Sequence, residues 1–190
     1  MPSARRINVS ILQLHISVQD IEPSIWRRVQ VPAAMSFAGL HQVIQEVFGW
    51  QGYHLYAFVV NDRRFESPDP EAEGENAERV NLKDLALAPG TEFEYIYDFG
   101  DYWLHAILVE QRLAAVPEVQ YPVCLEGARA GPPEDCGGPH GYAEMLRALA
   151  DPNHEEHAET AVWAGQWTAE LFDLRATNRV LQLAFKRGAV

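Results

Sequence analysis

The stretch YDFGDYWLH, residues 97–105, brings together residue types that could bind a ligand or a metal ion. Aspartate and histidine are ligands for Zn²⁺, Mn²⁺ or Ca²⁺ in differing proportions, so Asp98, Asp101 and His105 are candidate ligands. Asp98 and Gly100 are equally what a tight turn requires, because an aspartate can cap its own turn backbone. The stretch therefore predicts a hairpin turn, with a ligand groove or a metal site as the functional alternatives.

The faces of this hairpin decide which side chains can meet. If the turn centres on Phe99-Gly100 or on Gly100-Asp101, both resulting registers share one parity. One face then carries Glu94, Ile96, Asp98, Asp101, Trp103 and His105, and the other, expected in the core, carries Tyr95, Tyr97, Tyr102 and Leu104. In the tighter register Asp98 lies opposite Asp101, and two opposed carboxylates repel unless a metal ion, an arginine or a bound cationic group sits between them.

Further aromatic residues and a histidine join these acids in a predicted acidic–aromatic surface. Its members are Trp50, Tyr53, His54, Asp98, Asp101, Trp103 and His105. Exposed aromatic rings flanked by carboxylates suit a basic peptide, a protein partner or a small cationic ligand. The pattern favours a non-enzymatic binding module with no cofactor.

An enzyme is the alternative interpretation. Asp98, Asp101 and His105, joined by His54, would hold a divalent cation, and Glu94 or Glu134 would act as the general base of a hydrolase or transferase. The chain has no GxSxG elbow, no P-loop, no GxGxxG and no HExxH, so no familiar catalytic motif supports this alternative.

The stretch CLEGARAGPPEDCGGPHGY, residues 124–142, is the other place where chemistry is possible. Glu134 and Asp135 precede Cys136, two glycines and a predicted helix start. Free backbone N–H groups there could receive an anion or one of these carboxylates, and a thiol near a helix N-terminus could have a lowered pKa. A Gly/Pro-rich connector whose acids cap the following helix is the plainer interpretation.

Net charge bears on the choice of partner. The 190 residues include 15 Lys and Arg against 27 Asp and Glu, a formal charge of −12. An acidic chain disfavours nucleic acid as a partner. A local patch of Arg5, Arg6, Arg27 and Arg28 keeps open the hypothesis of a nucleic-acid accessory protein. No stretch has the roughly 18 apolar residues of a membrane span, and the start lacks a signal-peptide pattern, so we expect a cytoplasmic protein.

The elements that would position these residues are strands followed by helices. Alternating apolar residues predict an opening hairpin over 7–32, and Ser36 and Gly49 are suited to cap an amphipathic helix. Asn153 and Asp173 are candidate caps of later helices. We expect an α+β fold: a mostly antiparallel sheet with one helix packed across it and helices at the C-terminus. The chain would form one domain, with a sheet-plus-helix core (1–113), an irregular connector (114–137) and a helical part (138–187).

Three separated stretches resemble one family. IEPSIWRRVQVPAAMSFAGLHQVIQEVFGWQGYHLYAF, YIYDFGDYWLHAILVE and GPPEDCGGPHGYAEMLRALADPNHEEH together are similar to the plasmid pRiA4b ORF-3-like family, from about residue 8 to about residue 182. Some members are labelled resolvase-like (TnpR) passenger proteins of insertion elements. The resemblance implies an α/β roll with a β-grasp-like start and C-terminal helices, in an uncharacterised protein of a plasmid or mobile element. It implies no particular activity.

Overall fold

The computed structural model describes residues 9–186. It confirms the α+β class: eight strands form one open sheet, antiparallel except where β4 pairs with β5, and four α-helices accompany it. The strands are β1 (Ser10–Val18), β2 (Trp26–Pro32), β3 (Tyr56–Val60), β4 (Arg63–Glu66), β5 (Glu75–Asn76), β6 (Glu92–Tyr97), β7 (Trp103–Ala114) and β8 (Val123–Ala128), in the order β5-β4-β3-β6-β7-β1-β2-β8. The helices are α1 (Phe37–Phe48), α2 (Gly138–Ala150), α3 (His157–Ala164) and α4 (Leu174–Lys186).

The first helix begins and ends where its capping residues predict. The Ser36 hydroxyl accepts a hydrogen bond from the Gly39 N–H, and Gly49 closes the helix in the left-handed conformation (φ 82°). The apolar stripe of α1 is buried against the sheet, and the Phe37 ring stacks on Phe65 with centroids 4.5 Å apart. This packing leaves the C-terminal end of α1 beside the loops that follow β6 and β8.

The C-terminal part departs from the sequence prediction in two ways. The connector predicted to be irregular contains β8, which pairs with β2 as an edge strand. Asn178 of α4 covers this edge, since its amide accepts from the Cys124 N–H and donates to the Cys124 carbonyl. Asn153 caps no helix, because the chain turns through residues 151–156 before α3 begins, whereas Asp173 does accept from the first N–H groups of α4.

A buried arginine joins β2 to the helix end and to the connector. Arg27 is 2% exposed, and its guanidinium donates to the carbonyls of Val47 (2.7 Å), Trp26 (2.7 Å), Ala128 (2.8 Å) and Arg129 (2.7 Å). Burial lowers its pKa to about 10, so the group stays charged at neutral pH. Within the described residues it contacts no carboxylate; carbonyl dipoles, including one at the negative end of α1, provide its counter-charge.

The segment after β8, residues 129–137, is then packed against the end of α1. A Cβ on Gly131 would lie 2.0 Å from the Phe48 carbonyl oxygen, so only glycine allows this approach. The indole of Trp50 donates to the Pro132 carbonyl (2.8 Å), and that of Trp167 donates to the Gly131 carbonyl (3.0 Å). We call residues 129–137 the docked connector; its backbone path is fixed before it reaches the acids at 134 and 135.

Residues 9–186 contain no helix with the length and hydropathy needed to cross a lipid bilayer.

We expect Arg27→Met to destabilise the protein strongly. The substitution removes the donor from four carbonyls, and the hydrogen bonds to two of them, Val47 and Arg129, are fully buried. Each buried group left unsatisfied costs roughly 1–3 kcal/mol, so a loss of about 3 kcal/mol or more in the free energy of unfolding is expected. Urea denaturation measures it.

Arg28→Gln is the matched control on the neighbouring residue. Arg28 forms partly exposed ion pairs with Glu110 and Glu126, which contribute at most about 1 kcal/mol. Equal losses in the two variants would contradict the role given to Arg27.

Candidate functional site

The hairpin of β6 and β7 forms, but in neither predicted register. Tyr97 pairs with Trp103, and Tyr95 pairs with His105. The predicted faces are therefore wrong for β7: Trp103 and His105 share the core face with the two tyrosines, while Glu94 lies on the opposite face. Glu94 and His105 consequently cannot act on the same ligand.

The loop explains the change of register. Residues 98–102 form a five-residue connection in which Asp98 and Tyr102 both have positive φ angles, 56° and 55°, and the Tyr102 N–H donates to the Asp98 carbonyl. The Asp98 carboxylate supports this turn by accepting from the Gly100 N–H (2.9 Å). Both predicted registers require a loop with an even number of residues. The five-residue loop shifts β7 by one position, which moves every later side chain to the other face.

Three residues predicted for the acidic–aromatic surface are in the core. Trp50, Trp103 and His105 are 5%, 1% and 0% exposed. His105 Nδ1 donates to the Trp103 carbonyl (3.0 Å), and its ring lies against those of Phe48, Trp50 and Tyr95. Burial lowers the pKa of His105 to about 4, so the imidazole is neutral. His105 therefore packs in the core and is not a ligand beside Asp98 and Asp101.

The structure instead brings together side chains from three separate segments. His54, from the loop before β3, places Nε2 3.6 Å from Asp98 Oδ2 and 3.1 Å from Asp135 Oδ1, and one ligand atom from each of the three residues lies within 4.8 Å of the others. His54 Nε2 is shielded from solvent and forms no hydrogen bond. We call His54, Asp98 and Asp135 the connector cluster.

Two of the three separations fit ligands around a single ion. Metal–ligand bonds of about 2.0–2.2 Å place adjacent ligands of one metal roughly 2.8–3.6 Å apart in octahedral or tetrahedral geometry. The His54–Asp135 distance of 3.1 Å lies in this range, and the His54–Asp98 distance of 3.6 Å lies at its upper end. An imidazole nitrogen with two carboxylates is typical of sites for first-row divalent cations rather than Ca²⁺.

Glu134 adds a third carboxylate beside the cluster. Its Oε2 lies 3.9 Å from His54 Nε2, while Oε1 accepts from the Gln51 N–H (2.8 Å) and from the Tyr97 hydroxyl (3.1 Å). Burial and the neighbouring Glu134 raise the pKa of Tyr97, so its phenol remains a donor. Glu134 is therefore held in place, with one oxygen facing the cluster.

Charge makes this arrangement unusual. The side chains of Asp98 and Glu134 are only 12% and 13% exposed, and within residues 9–186 neither they nor Asp135 forms an ion pair with Lys or Arg. Two carboxylates about 4 Å apart repel by roughly 4 kcal/mol at an effective dielectric constant of about 20. A divalent cation bound there would offset two of these three negative charges.

Asp101 lies near the connector cluster, but its carboxylate accepts a hydrogen bond from the backbone. Its Oδ2 accepts from the Gly137 N–H (3.0 Å) at the start of α2, and a Cβ on Gly138 (φ 67°) would lie 2.3 Å from the Asp101 carbonyl oxygen. The sequence left open whether an anion or the carboxylate of Glu134 or Asp135 would meet these glycine N–H groups, and in the structure Asp101 supplies the carboxylate instead. This contact ties the β6–β7 loop to the end of the docked connector.

The cysteines are not activated. Burial, with Asp101 next, raises the pKa of the Cys136 thiol to about 12, and burial raises that of Cys124 to about 11. The prediction of a lowered pKa at the helix start is wrong, because the thiol is surrounded by carboxylates and removed from water. Neither thiol is poised as a nucleophile.

The two arginines of the nucleic-acid hypothesis that the structure describes do not form a surface patch. Arg27 is buried, and Arg28 pairs with Glu110 and Glu126. Arg5 and Arg6 lie outside the described residues.

Exposed apolar side chains are chain neighbours of two residues of the connector cluster. Tyr53 (72% exposed) and Leu55 (46%) flank His54 along the chain, and Phe99 (42%) follows Asp98. Of the predicted acidic–aromatic surface, Tyr53, His54, Asp98 and Asp101 thus stay on the loops at this end of the sheet. The sequence did not reveal the contribution of Glu134 and Asp135, although their position just before a helix start had marked them as candidates.

Comparison with known proteins identifies the family. Residues 10–176 match the family described as "Plasmid pRiA4b ORF-3-like protein". The chain belongs to this family. It is 43% identical over 159 residues to the uncharacterized protein y4hQ of Sinorhizobium fredii, covering 82% of this chain and 81% of that protein.

A similar crystal structure supports the fold. The crystal structure of MM3350, a protein of unknown function from Methanosarcina mazei, matches with a TM-score of 0.82 at 36% identity, covering 88% of this chain and 97% of that one. MM3350 thus shares the fold of this pRiA4b ORF-3-like chain, and the descriptions of both relatives name no activity.

The tether between Asp101 and Gly137 predicts a local change in dynamics. In Asp101→Ala the Gly137 N–H loses its acceptor, so we expect amide hydrogen exchange over residues 133–138 to become about five- to tenfold faster, since such a bond contributes about 1 kcal/mol. Hydrogen–deuterium exchange mass spectrometry measures it. Asp101→Asn keeps an acceptor oxygen and should exchange near the wild-type rate; identical behaviour of both variants would contradict the tether.

The buried imidazole predicts a pH dependence of stability. The pKa of His105 is about 4 in the folded chain and about 6.5 when unfolded, so between these values the unfolded state binds more protons and stability rises with pH. Between pH of about 7 and about 4.5, we expect the wild type to lose about 2 kcal/mol more of its free energy of unfolding than His105→Phe does.

Urea denaturation of both proteins at the two pH values gives this difference directly. The variant carries every other titrating group, so parallel pH dependences would show that His105 is not held neutral.

Proposed function

We propose that this pRiA4b ORF-3-like protein is a binding module that holds a first-row divalent cation, Zn²⁺ or Mn²⁺, in the connector cluster. The observation that carries the proposal is the convergence of His54, Asp98 and Asp135, with ligand atoms at metal-ligand spacing and no Lys or Arg paired with them in the described chain. An association with a plasmid or mobile element, which the family description suggests, is part of the same proposal.

The ligand set differs from the one predicted from the sequence. Asp98 and His54 remain from the set predicted by sequence, Asp135 takes the place of Asp101, and the buried His105 is not part of the cluster. Three protein ligands leave coordination positions open for water or for a group of a bound molecule. The exposed Tyr53 and Phe99 beside the cluster offer aromatic contact area to such a molecule.

Cation binding is also what the electrostatics of the surroundings favours. Asp98 and Glu134 are each held by backbone N–H donors, so they cannot turn away from each other into water. These two largely buried carboxylates lose repulsion when a cation enters, and the 70%-exposed Asp135 would add a ligand from the solvent side.

A metal-dependent hydrolase is the second candidate. Glu134 favours it, because its carboxylate stands 3.9 Å from His54 Nε2, close enough to accept a proton from a water molecule on the ion. Glu134→Gln separates the two functions: cation affinity should stay within a few fold, while hydrolysis of a generic phosphate ester by the loaded protein, where any is measured, should disappear.

The direct test is native mass spectrometry of untagged protein dialysed against EDTA and then exposed to Zn²⁺ or Mn²⁺. We expect one bound ion per chain, and isothermal titration calorimetry should show at least about tenfold weaker binding in His54→Ala and in Asp135→Asn, because each removes one of three ligands.

Glu155→Gln is the matched control, since Glu155 is exposed and lies outside the cluster. No stoichiometric ion, or equal affinity in the wild type, His54→Ala and Asp135→Asn, would overturn the proposal.

A further inference from the structure

A second surface on this end of the molecule lies between two C-terminal helices. A groove of about 340 Å³ separates α2 from α3. Its lining includes the carboxylates of Asp135, Glu144, Glu156 and Glu159, together with Trp163 and Met145. Its volume is at the small end of the roughly 300–1,000 Å³ typical of ligand pockets, so it suits long side chains rather than a large cofactor.

The groove carries negative charge that the described chain does not neutralise. No Lys or Arg lines it. Glu144 is paired with Arg147 and lies 3.8 Å from His140, whereas within residues 9–186 Glu156 and Glu159 form no ion pair. The groove therefore selects a cation, and the formal charge of −12 adds long-range attraction for a basic partner.

Helix α3, which forms one wall of the groove, exposes an aromatic residue and has no buried side chain. None of the side chains of α3 is buried, and Trp163 and Val162 are 51% and 83% exposed. A surface tryptophan beside carboxylates is the usual composition of a site for Arg or Lys, because the ring face attracts the cation while the acids pair with it.

We propose that the groove between α2 and α3 binds an arginine- or lysine-bearing segment of a protein partner, with Trp163 against the basic side chain and Glu156 and Glu159 paired with its charge. The inference rests on the proposed function only in taking the protein to be a binding module. It names the chemical class of the partner, which the connector cluster leaves open.

The groove and the connector cluster are neighbours that share one residue. Asp135 lines the groove and also belongs to the cluster. The groove contacts assigned to Trp163, Glu156 and Glu159 do not involve His54 or Asp98, and the peptide titrations are made in EDTA so that no cation on the shared Asp135 changes the charge of the groove. This separation allows the two proposals to fail independently.

The test uses fluorescence anisotropy with the full chain and a fluorescein-labelled octapeptide of four Arg-Gly repeats, beside a Glu-Gly octapeptide. We expect only the basic peptide to bind, with an affinity that falls as the salt concentration rises. Trp163→Ala, and the double variant Glu156→Gln with Glu159→Gln, should each weaken it by about tenfold. Because Trp163 is half exposed, circular dichroism should show both variants folded.

The controls are Glu155→Gln, which removes a nearby exposed acid outside the groove, and His54→Ala, which removes a cluster ligand. Both should bind the peptide within about twofold of the wild type, whatever the outcome of the metal titration. Equal weakening by Glu155→Gln would show non-specific attraction, and loss in His54→Ala alone would move the site to the cluster. Complete displacement by spermine at equal charge would indicate a small polycation, and each of these results overturns the proposal.

Discussion

The buried guanidinium of Arg27 is the interaction on which the candidate site depends. A charge removed from water must be solvated by the protein, and here carbonyls from β2, from the last turn of α1 and from the end of β8 do so together. Satisfying one side chain therefore fixes three chain segments relative to one another. Once residues 128 and 129 are held, the path of the docked connector past Gly131 and Pro132 follows from close packing, and Glu134 and Asp135 arrive beside His54.

The connector cluster uses this rigidity for an arrangement that local forces oppose. Isolated carboxylates on mobile loops would separate into water, but the backbone N–H groups of Gln51 and Gly100 hold Glu134 and Asp98 in place. Proteins concentrate such conflicts between local preference and the global fold at functional sites, where the rest of the structure sustains them. The solvent-shielded nitrogen of His54, without a hydrogen bond, belongs to the same conflict.

The sequence predicted what short-range patterns encode. The limits of α1 followed from Ser36, its apolar stripe and Gly49, and the order of strands and helices followed from periodicity and turn residues. The register of the β6–β7 hairpin did not follow, because it depends on left-handed conformations at Asp98 and Tyr102 that these residue types adopt only in context. β8 was hidden by its Gly- and Pro-rich surroundings. The convergence of His54 with Asp135 spans 81 positions in the chain and arises from packing alone.

The acidic composition therefore has two different physical meanings in this protein. Carboxylates on the sheet are largely paired, as Glu110 and Glu126 are with Arg28, and such pairs need no partner from outside. Around the docked connector, α2 and α3, the carboxylates outnumber the cations that reach them, and aromatic rings lie exposed beside them. A net charge alone would describe both regions as solvated surface. In this second region a bound cation, inorganic or carried by a partner, would stabilise the folded chain, because it would offset carboxylates that have no Lys or Arg partner among the described residues.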